Sequence, residues 1–240
     1  MKLRVCESFT DSETIDGSVI TTWKDTNPQS LVKFNASSVV ASNTSGPAYI
    51  ARGLNDIPTL RFTNNGASAI RFLAVDSAFN NNKFGSMTMF VVLTYRSGSG
   101  YFIDRTTSSV PLFGAEVTSS AKLNIVARTD YNTFFNVGNY SVSSGSSYIV
   151  TLTRVYNQSF NIYVNGGGSS VGGATVTTTD SANNSLTLPT LKIGRHVSTA
   201  EVLDADISEI IFYDALVRSE DRDAIEEYLG KKYNIKVSNS

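Results

Sequence analysis

Residues 148–165, YIVTLTRVYNQSFNIYVN, read as two strands joined by a tight turn. Phe160, Ile162 and Val164 alternate with Asn161, Tyr163 and Asn165, so one face of the second strand is apolar and the other polar. A repeat of two places successive side chains on opposite faces of an extended chain, and a helix has no such period. Asn157 and Gln158 stand at the turn, where asparagine accepts the left-handed backbone that a two-residue hairpin needs. A half-buried antiparallel hairpin follows, and the rest of the chain repeats its style.

Earlier in the chain, residues 86–95, SMTMFVVLTY, put Met87, Met89, Val91, Leu93 and Tyr95 on one side. Thr88, Phe90, Val92 and Thr94 lie on the other. Both faces are largely apolar, as expected of a central strand covered on each side. Further strands are predicted at 19–24, 58–62, 69–73, 101–104, 112–117, 122–128, 133–137, 185–193 and 203–213, separated by the turn chemistry of residues 64–66, 97–100, 138–139 and 166–168. Ten or more strands at this spacing predict an all-β, two-sheet antiparallel jelly-roll sandwich. One helix is predicted near the C-terminus. Ser219 is its N-cap, with Glu220 and Asp221 in the first turn. Ala224, Ile225, Tyr228 and Leu229 form an apolar stripe for docking on the sandwich, and Gly230 ends the helix beside Lys231 and Lys232.

The 240 residues show no linker-like composition shift, so residues 17–240 are read as one domain and residues 1–16 as an N-terminal arm or edge strand. Cys6 is the single cysteine and cannot form an internal disulfide, which leaves stability to packing. The net charge of −1, from 20 basic and 21 acidic residues with no basic stripe, argues against a dedicated nucleic-acid binder. Charged residues make up 17% of the chain, below the usual quarter or so, and Ser, Thr, Asn and Gly fill the surface instead. Residues 1–12, MKLRVCESFTDS, hold no apolar run of signal-peptide length. With Met1 as the native start, the chain is expected to be made in the cytoplasm and not exported by the common route. No segment approaches the roughly 20 apolar residues of a membrane span, so membrane insertion is not expected.

Three segments resemble the laminin G-like, concanavalin A-like lectin/glucanase superfamily. Residues 54–62, LNDIPTLRF, are followed by a polar turn and the strand AIRFL. The opening strand, turn and strand are similar to the family's first hairpin, and Trp23, Lys24 and Asp25 look like its early W-x-D element. Residues 191–233 carry KIGRH, a variable loop, then DADISEIIFYDALVRSEDRDAIEEYLGKKY. The resemblance implies a jelly-roll sandwich, and such domains mostly bind glycans or proteins without chemistry.

The same resemblance draws attention to Asp204, Asp206 and Glu209, because laminarinase-type hydrolases of this fold carry a Glu-x-Asp-x-Glu or Glu-x-Asp-x-x-Glu string. A retaining pair needs carboxyl groups about 5–5.5 Å apart. Positions 204 and 206 share a face of a regular strand while 209 points away, so only a β-bulge brings all three together. The plainer reading, a polar loop end entering the last strand, is preferred, and no catalytic residue is assigned. His196, the single histidine, cannot assemble a typical transition-metal site. No metal or other cofactor is expected, although Asp76, Asp104, Asp130 and Asp180 lie near predicted loops and offer the oxygens that calcium takes.

Sugar binding uses aromatic rings, on which a pyranose face stacks, beside Asn, Asp or Arg groups that bond its hydroxyls. The candidates are Tyr101, Tyr131, Asn132, Tyr140, Tyr163, Asn165 and Arg195, each of which also suits a half-buried tyrosine or a turn. The expected function is non-enzymatic binding. The first reading is a phage virion component (head decoration, fibre or tail protein) on the particle surface, docked on other virion proteins and in contact with host glycans. The alternative is the carbohydrate-binding lectin module of a secreted or cell-surface adhesin, and a glycoside hydrolase is a distant third. Sandwich proteins on particles are often homo-oligomers, but no stretch specifies a symmetry.

Overall fold

The computed structural model describes residues 2–5, 15–26, 35–38, 44–63, 70–75, 86–107, 110–128, 134–155, 159–167, 170–175, 191–194 and 203–238. In chain order the strands are β1 (Lys2–Val5), β2 (Thr22–Trp23), β3 (Ala36–Ser37), β4 (Thr44–Ser45), β5 (Ala48–Ile50) and β6 (Thr59–Phe62). They continue with β7 (Ile70–Arg71), β8 (Leu73–Val75), β9 (Met87–Ser97), β10 (Gly100–Thr107), β11 (Val110–Val117) and β12 (Lys122–Arg128). The last are β13 (Phe134–Ser141), β14 (Ser147–Val155), β15 (Ser159–Val164), β16 (Gly172–Thr175), β17 (Leu191–Ile193) and β18 (Asp204–Tyr213), followed by helix α1 (Ser219–Tyr233).

Two antiparallel sheets face one another. The first runs β16-β15-β14-β9-β18-β6-β5, and β1 pairs with β18 at Ile210–Tyr213, beyond the stretch that β6 occupies. The second runs β13-β12-β11-β10-β17-β8-β3-β2. The expected two-sheet sandwich with a single C-terminal helix is therefore the observed architecture. Met89, Val91 and Leu93 of β9 enter the core between the sheets, while Phe90 and Val92 join a second apolar cluster on the outer face. That division is the one the alternation of residues 86–95 predicts.

One edge of the sandwich is joined by a segment that changes sheets. Gly17 N–H donates to Tyr49 O (2.7 Å), Tyr49 N–H to Ser18 O (2.7 Å) and Ile20 N–H to Pro47 O (2.8 Å), which binds the segment to β5. Two residues on, Thr22 and Trp23 pair with β3 of the other sheet. The Trp23 side chain is buried in the core and the Asp25 N–H donates to Asn35 Oδ1 (3.0 Å), so the W-x-D element is built into this seam.

Two local expectations are corrected. Gly138 and Asn139 lie inside β13 and not in a turn. A bulge in the β12–β13 register sits there, and a Cβ on Gly138 (φ 147°) would stand 2.3 Å from Leu123 O, so glycine is needed for close strand approach. Helix α1 runs past Gly230 to Tyr233 and ends at Asn234 in the left-handed region (φ 54°), with Arg218 at the N-cap position in place of Ser219. A Cβ on Gly230 would meet Val237 Cγ2 at 2.5 Å, so this glycine makes room for the returning tail. Among the described residues, no helix is long and apolar enough to cross a membrane.

Candidate functional site

The predicted sugar-binding residues do not converge. Tyr101 lies on β10, on the strand predicted at 101–104, and only 7% of it is exposed. Tyr140 is half-buried on β13, packs against the inter-sheet core and meets Tyr148 edge-on with centroids 6.0 Å apart. Tyr163 faces outward from the first sheet, with the Arg222 guanidinium 4.0 Å above its ring. Asn165, in the left-handed region (φ 52°), exchanges backbone bonds with its surroundings and accepts the Ile149 N–H on its side-chain Oδ1 (2.8 Å), which closes the end of the hairpin. Tyr131, Asn132, Arg195, His196, Cys6, Asp76, Asp130 and Asp180 lie outside the described residues. Asp104 belongs to a strand and is fully buried. Among the described residues, no group of three or more His, Cys, Asp or Glu side chains is placed to hold a metal ion.

The acidic string on β18 departs from the expectation for a regular strand. The pairing with β9 shifts between Ile207 and Glu209, which places Glu209 opposite Val92 on the outer face that Asp206 also occupies. The bulge that alone could unite the three carboxylates is present. Their partners nevertheless differ. Asp206 accepts a two-pronged hydrogen bond from Arg61 (Nε to Oδ1 and Nη2 to Oδ2, both 2.8 Å), and this bond raises the Arg61 pKa. Asp204 Oδ2 accepts from Ser97 Oγ (2.7 Å). Glu209 is fully buried under α1, where its Oε2 accepts from Lys232 Nζ and Tyr233 Oη, each at 3.0 Å. Glu209 thus fastens the helix to the sheet.

On α1 the residues that face inward are Arg222, Glu226, Leu229 and Tyr233, while Tyr228 of the predicted stripe is 40% exposed. Of the expected docking stripe, Leu229 is buried and Ile225 packs against the outer-face cluster as predicted, whereas Ala224 and Tyr228 are exposed, so the inward face is centred about one helical position away. Leu229 and Tyr233 pack on Phe90, Val92, Ile149 and Ile211. Glu226 is fully buried, accepts from Thr151 Oγ1 (2.5 Å) and has Arg222 Nε 3.8 Å from its other oxygen. Burial raises its pKa, against the opposing effects of the Thr151 hydrogen bond and the Arg222 charge.

The outer face of the second sheet is different. A bulge between Tyr101 and Ile103 turns both Phe102 and Ile103 into the core. Tyr101, Glu116 and Asn124 then stand side by side across β10, β11 and β12, and Lys192, Asp104 and Gly114 form the adjoining row across β17, β10 and β11. Asn124 Nδ2 donates to Glu116 Oε1 (2.9 Å). The Tyr101 ring lies against Gly114, where a Cβ would come within 2.7 Å of its Cε1. Lys192 Nζ stands 5.8 Å from the Phe72 ring centroid. Tyr101, Asp104 and Asn124 form a buried floor, and Glu116 and Lys192 a half-buried rim. Of these groups only the Glu116 carboxylate and the Lys192 ammonium reach solvent, where they are accessible to a hydroxyl-rich or peptide ligand, while the Asp104 carboxylate is enclosed beneath them. Sequence reading found only Tyr101 and Asp104 here. The signal for the rest is the polar phase of two strands, Gly114 and Glu116 in FGAEV and Asn124 in KLNIV.

No protein-family model and no curated protein sequence matches the chain. Solved structures do. The binding domain of botulinum neurotoxin DC, in complex with SialylT, is 14% identical over 86% of this chain and 48% of that one, with a TM-score of 0.60. The same toxin's binding domain in complex with rat synaptotagmin II is 13% identical over 95% and 51%, with a TM-score of 0.61. Trypanosoma rangeli sialidase is 14% identical over 93% and 33%, with a TM-score of 0.54. This chain spans about half the length of those toxin domains and a third of that sialidase. At such identities the likeness is one of fold, shared with part of each of these larger chains.

Proposed function

We propose that the chain is a non-enzymatic binding module of the concanavalin A-like, laminin G-like class, and that it uses the outer face of its second sheet. The observation that carries this reading is the row Tyr101, Glu116 and Asn124 beside Asp104 and Lys192: chemically varied groups held in register on the outward side of the sheet, with Glu116 and Lys192 at its accessible rim and the other three beneath as a buried floor. The solved toxin domains of similar fold support it, one in complex with SialylT and one with synaptotagmin. Catalysis by the β18 acids is disfavoured because Asp206 is locked to Arg61 and Glu209 to Lys232. In its finer form, the module works on a phage particle as a head decoration, fibre or tail component. The low charge and the Ser-, Thr- and Asn-rich composition support that form. The alternative form is an extracellular lectin module, and a particle adhesin satisfies both.

A glycan array tests the module. Binding to one glycan class is expected, and Asn124→Ala should weaken it about tenfold, the effect of a lost ligand hydrogen bond on an anchored amide. An array on which the wild type binds nothing removes the glycan reading and leaves protein docking.

A further inference from the structure

A second surface, on the opposite side of the molecule, carries two unsatisfied polar atoms. Helix α1 covers only part of the first sheet's outer face. Beyond it, Ser147, Thr94, Asp206, Arg61 and Ala48 stand directly opposite one another across β14, β9, β18, β6 and β5. At about 4.8 Å per strand this row is roughly 19 Å long. Thr94 and Ser147 share a hydrogen bond between hydroxyls (2.8 Å), and Arg61 and Asp206 form the two-pronged pair.

The β9–β18 register shifts again at this end. Asp204 pairs with Ser97 and Ala205 with Tyr95, which leaves Arg96 as the extra residue of a bulge. Bulges re-aim side chains. The Arg96 side chain, 41% exposed, reaches toward Asp204 and Asp206, with Nη1 4.0 Å from Asp206 Oδ2. Its Nε and Asp204 Oδ1 are only 3.4 Å apart, yet both are shielded from solvent and neither has a hydrogen-bond partner. The two form an ion pair without a well-aligned hydrogen bond, which leaves donor and acceptor capacity for a third group. A hydroxyl uses both in one step, because it accepts from Nε and donates to the carboxylate. A carboxylate could not donate, and any anion, phosphate included, would face the charges of Asp204 and Asp206.

We propose that this Arg96–Asp204 shelf is a second binding site, for the hydroxyls of a neutral saccharide, entered when the exposed Arg96 side chain swings outward. The proposal stands apart from the second-sheet reading and makes the module two-faced. Thr94 and Ser147 extend the shelf along the sheet, with Arg61 and Asp206 as its rigid floor.

The test is a two-dimensional NMR titration of the full chain with the methyl α-glycosides of glucose, galactose and mannose, with glycerol as the control polyol. At least one glycoside should shift, saturably, the Arg96 side-chain N–H signal and the backbone signals of residues 94–97 and 204–206. Arg96→Met keeps the aliphatic stem and removes every donor, and it should weaken this response about tenfold. Asn124→Ala, on the other sheet, should leave it unchanged. Absence of a shift with all three glycosides, an equal response to glycerol, or an Arg96→Met variant that binds like wild type overturns the shelf. A response confined to residues 101, 116 and 124 also overturns it while upholding the second-sheet site, so the two proposals fail separately.

Discussion

The outer face of the first sheet is two surfaces built on the same strands. Under α1, strands β14, β9 and β18 present Ile149, Phe90, Val92 and Ile211, and the helix answers with Leu229 and Tyr233. A few residues along the same strands they present Ser147, Thr94 and Asp206, with Arg96 and Arg61 in reach. Backbone geometry is shared, so outward side chains alone decide which half is sealed and which stays open. Buried carboxylates sharpen the difference. Glu209 and Glu226 are fully enclosed beneath the helix, whereas the Asp204 side chain on the open half keeps 23% of its surface. Enclosed charge is costly unless it is paired or neutral, and the covered half uses Lys232 for the first carboxylate and a raised pKa for the second.

The largest expected effect is on the covered half. Leu229→Ala removes a fully buried side chain from the helix–sheet contact and should cost about 3 kcal/mol, read from urea unfolding. A loss below about 1 kcal/mol would show that the helix is not held by its apolar face.

Glu226 sets a pH-dependent effect. Its folded pKa lies above the ordinary 4.5 because burial penalises the charged form. The folded state therefore keeps the proton at pH values where the unfolded chain has lost it. The stabilisation linked to that proton is complete below the ordinary value and is lost as pH rises through the raised one. Wild-type stability minus that of Glu226→Gln should accordingly fall as pH increases through this window. A difference that stays flat from acid to neutral pH would mean that folding leaves the Glu226 pKa unshifted, and one that rises would mean that the folded state favours the carboxylate.

The smallest effect belongs to the open half. Arg61 is only partly shielded, so Arg61→Ala should cost no more than about 1 kcal/mol despite its two 2.8 Å bonds. A loss as large as that of Leu229→Ala would make the open half structural and weaken the case for a ligand shelf there.

Much of this contrast was legible in the residues, and the limits have physical causes. The alternation of residues 86–95 and 160–164 assigned both faces correctly, because a period of two survives any pairing partner. The docking stripe of α1 was placed correctly at Ile225 and Leu229 but not at Ala224 and Tyr228, because the inward face is half polar: Arg222 and Glu226 read as solvent-facing until Thr151 and Tyr163 are seen beneath them. The aromatic candidates scattered because composition marks a tyrosine without saying which sheet it lands on. Tyr140 turned to the core and Tyr163 to the helix.

Local period, turn chemistry and charge at the helix ends were enough to specify antiparallel strands, a two-layer sandwich and a single C-terminal helix. Each of these follows from residues close together in the chain. The directions of Glu209 and Arg96 came from tertiary packing instead. Both depend on bulges in the β9–β18 ladder. A bulge arises from how two strands distant in the chain fit against each other, and the alternation within either strand carries no record of that fit.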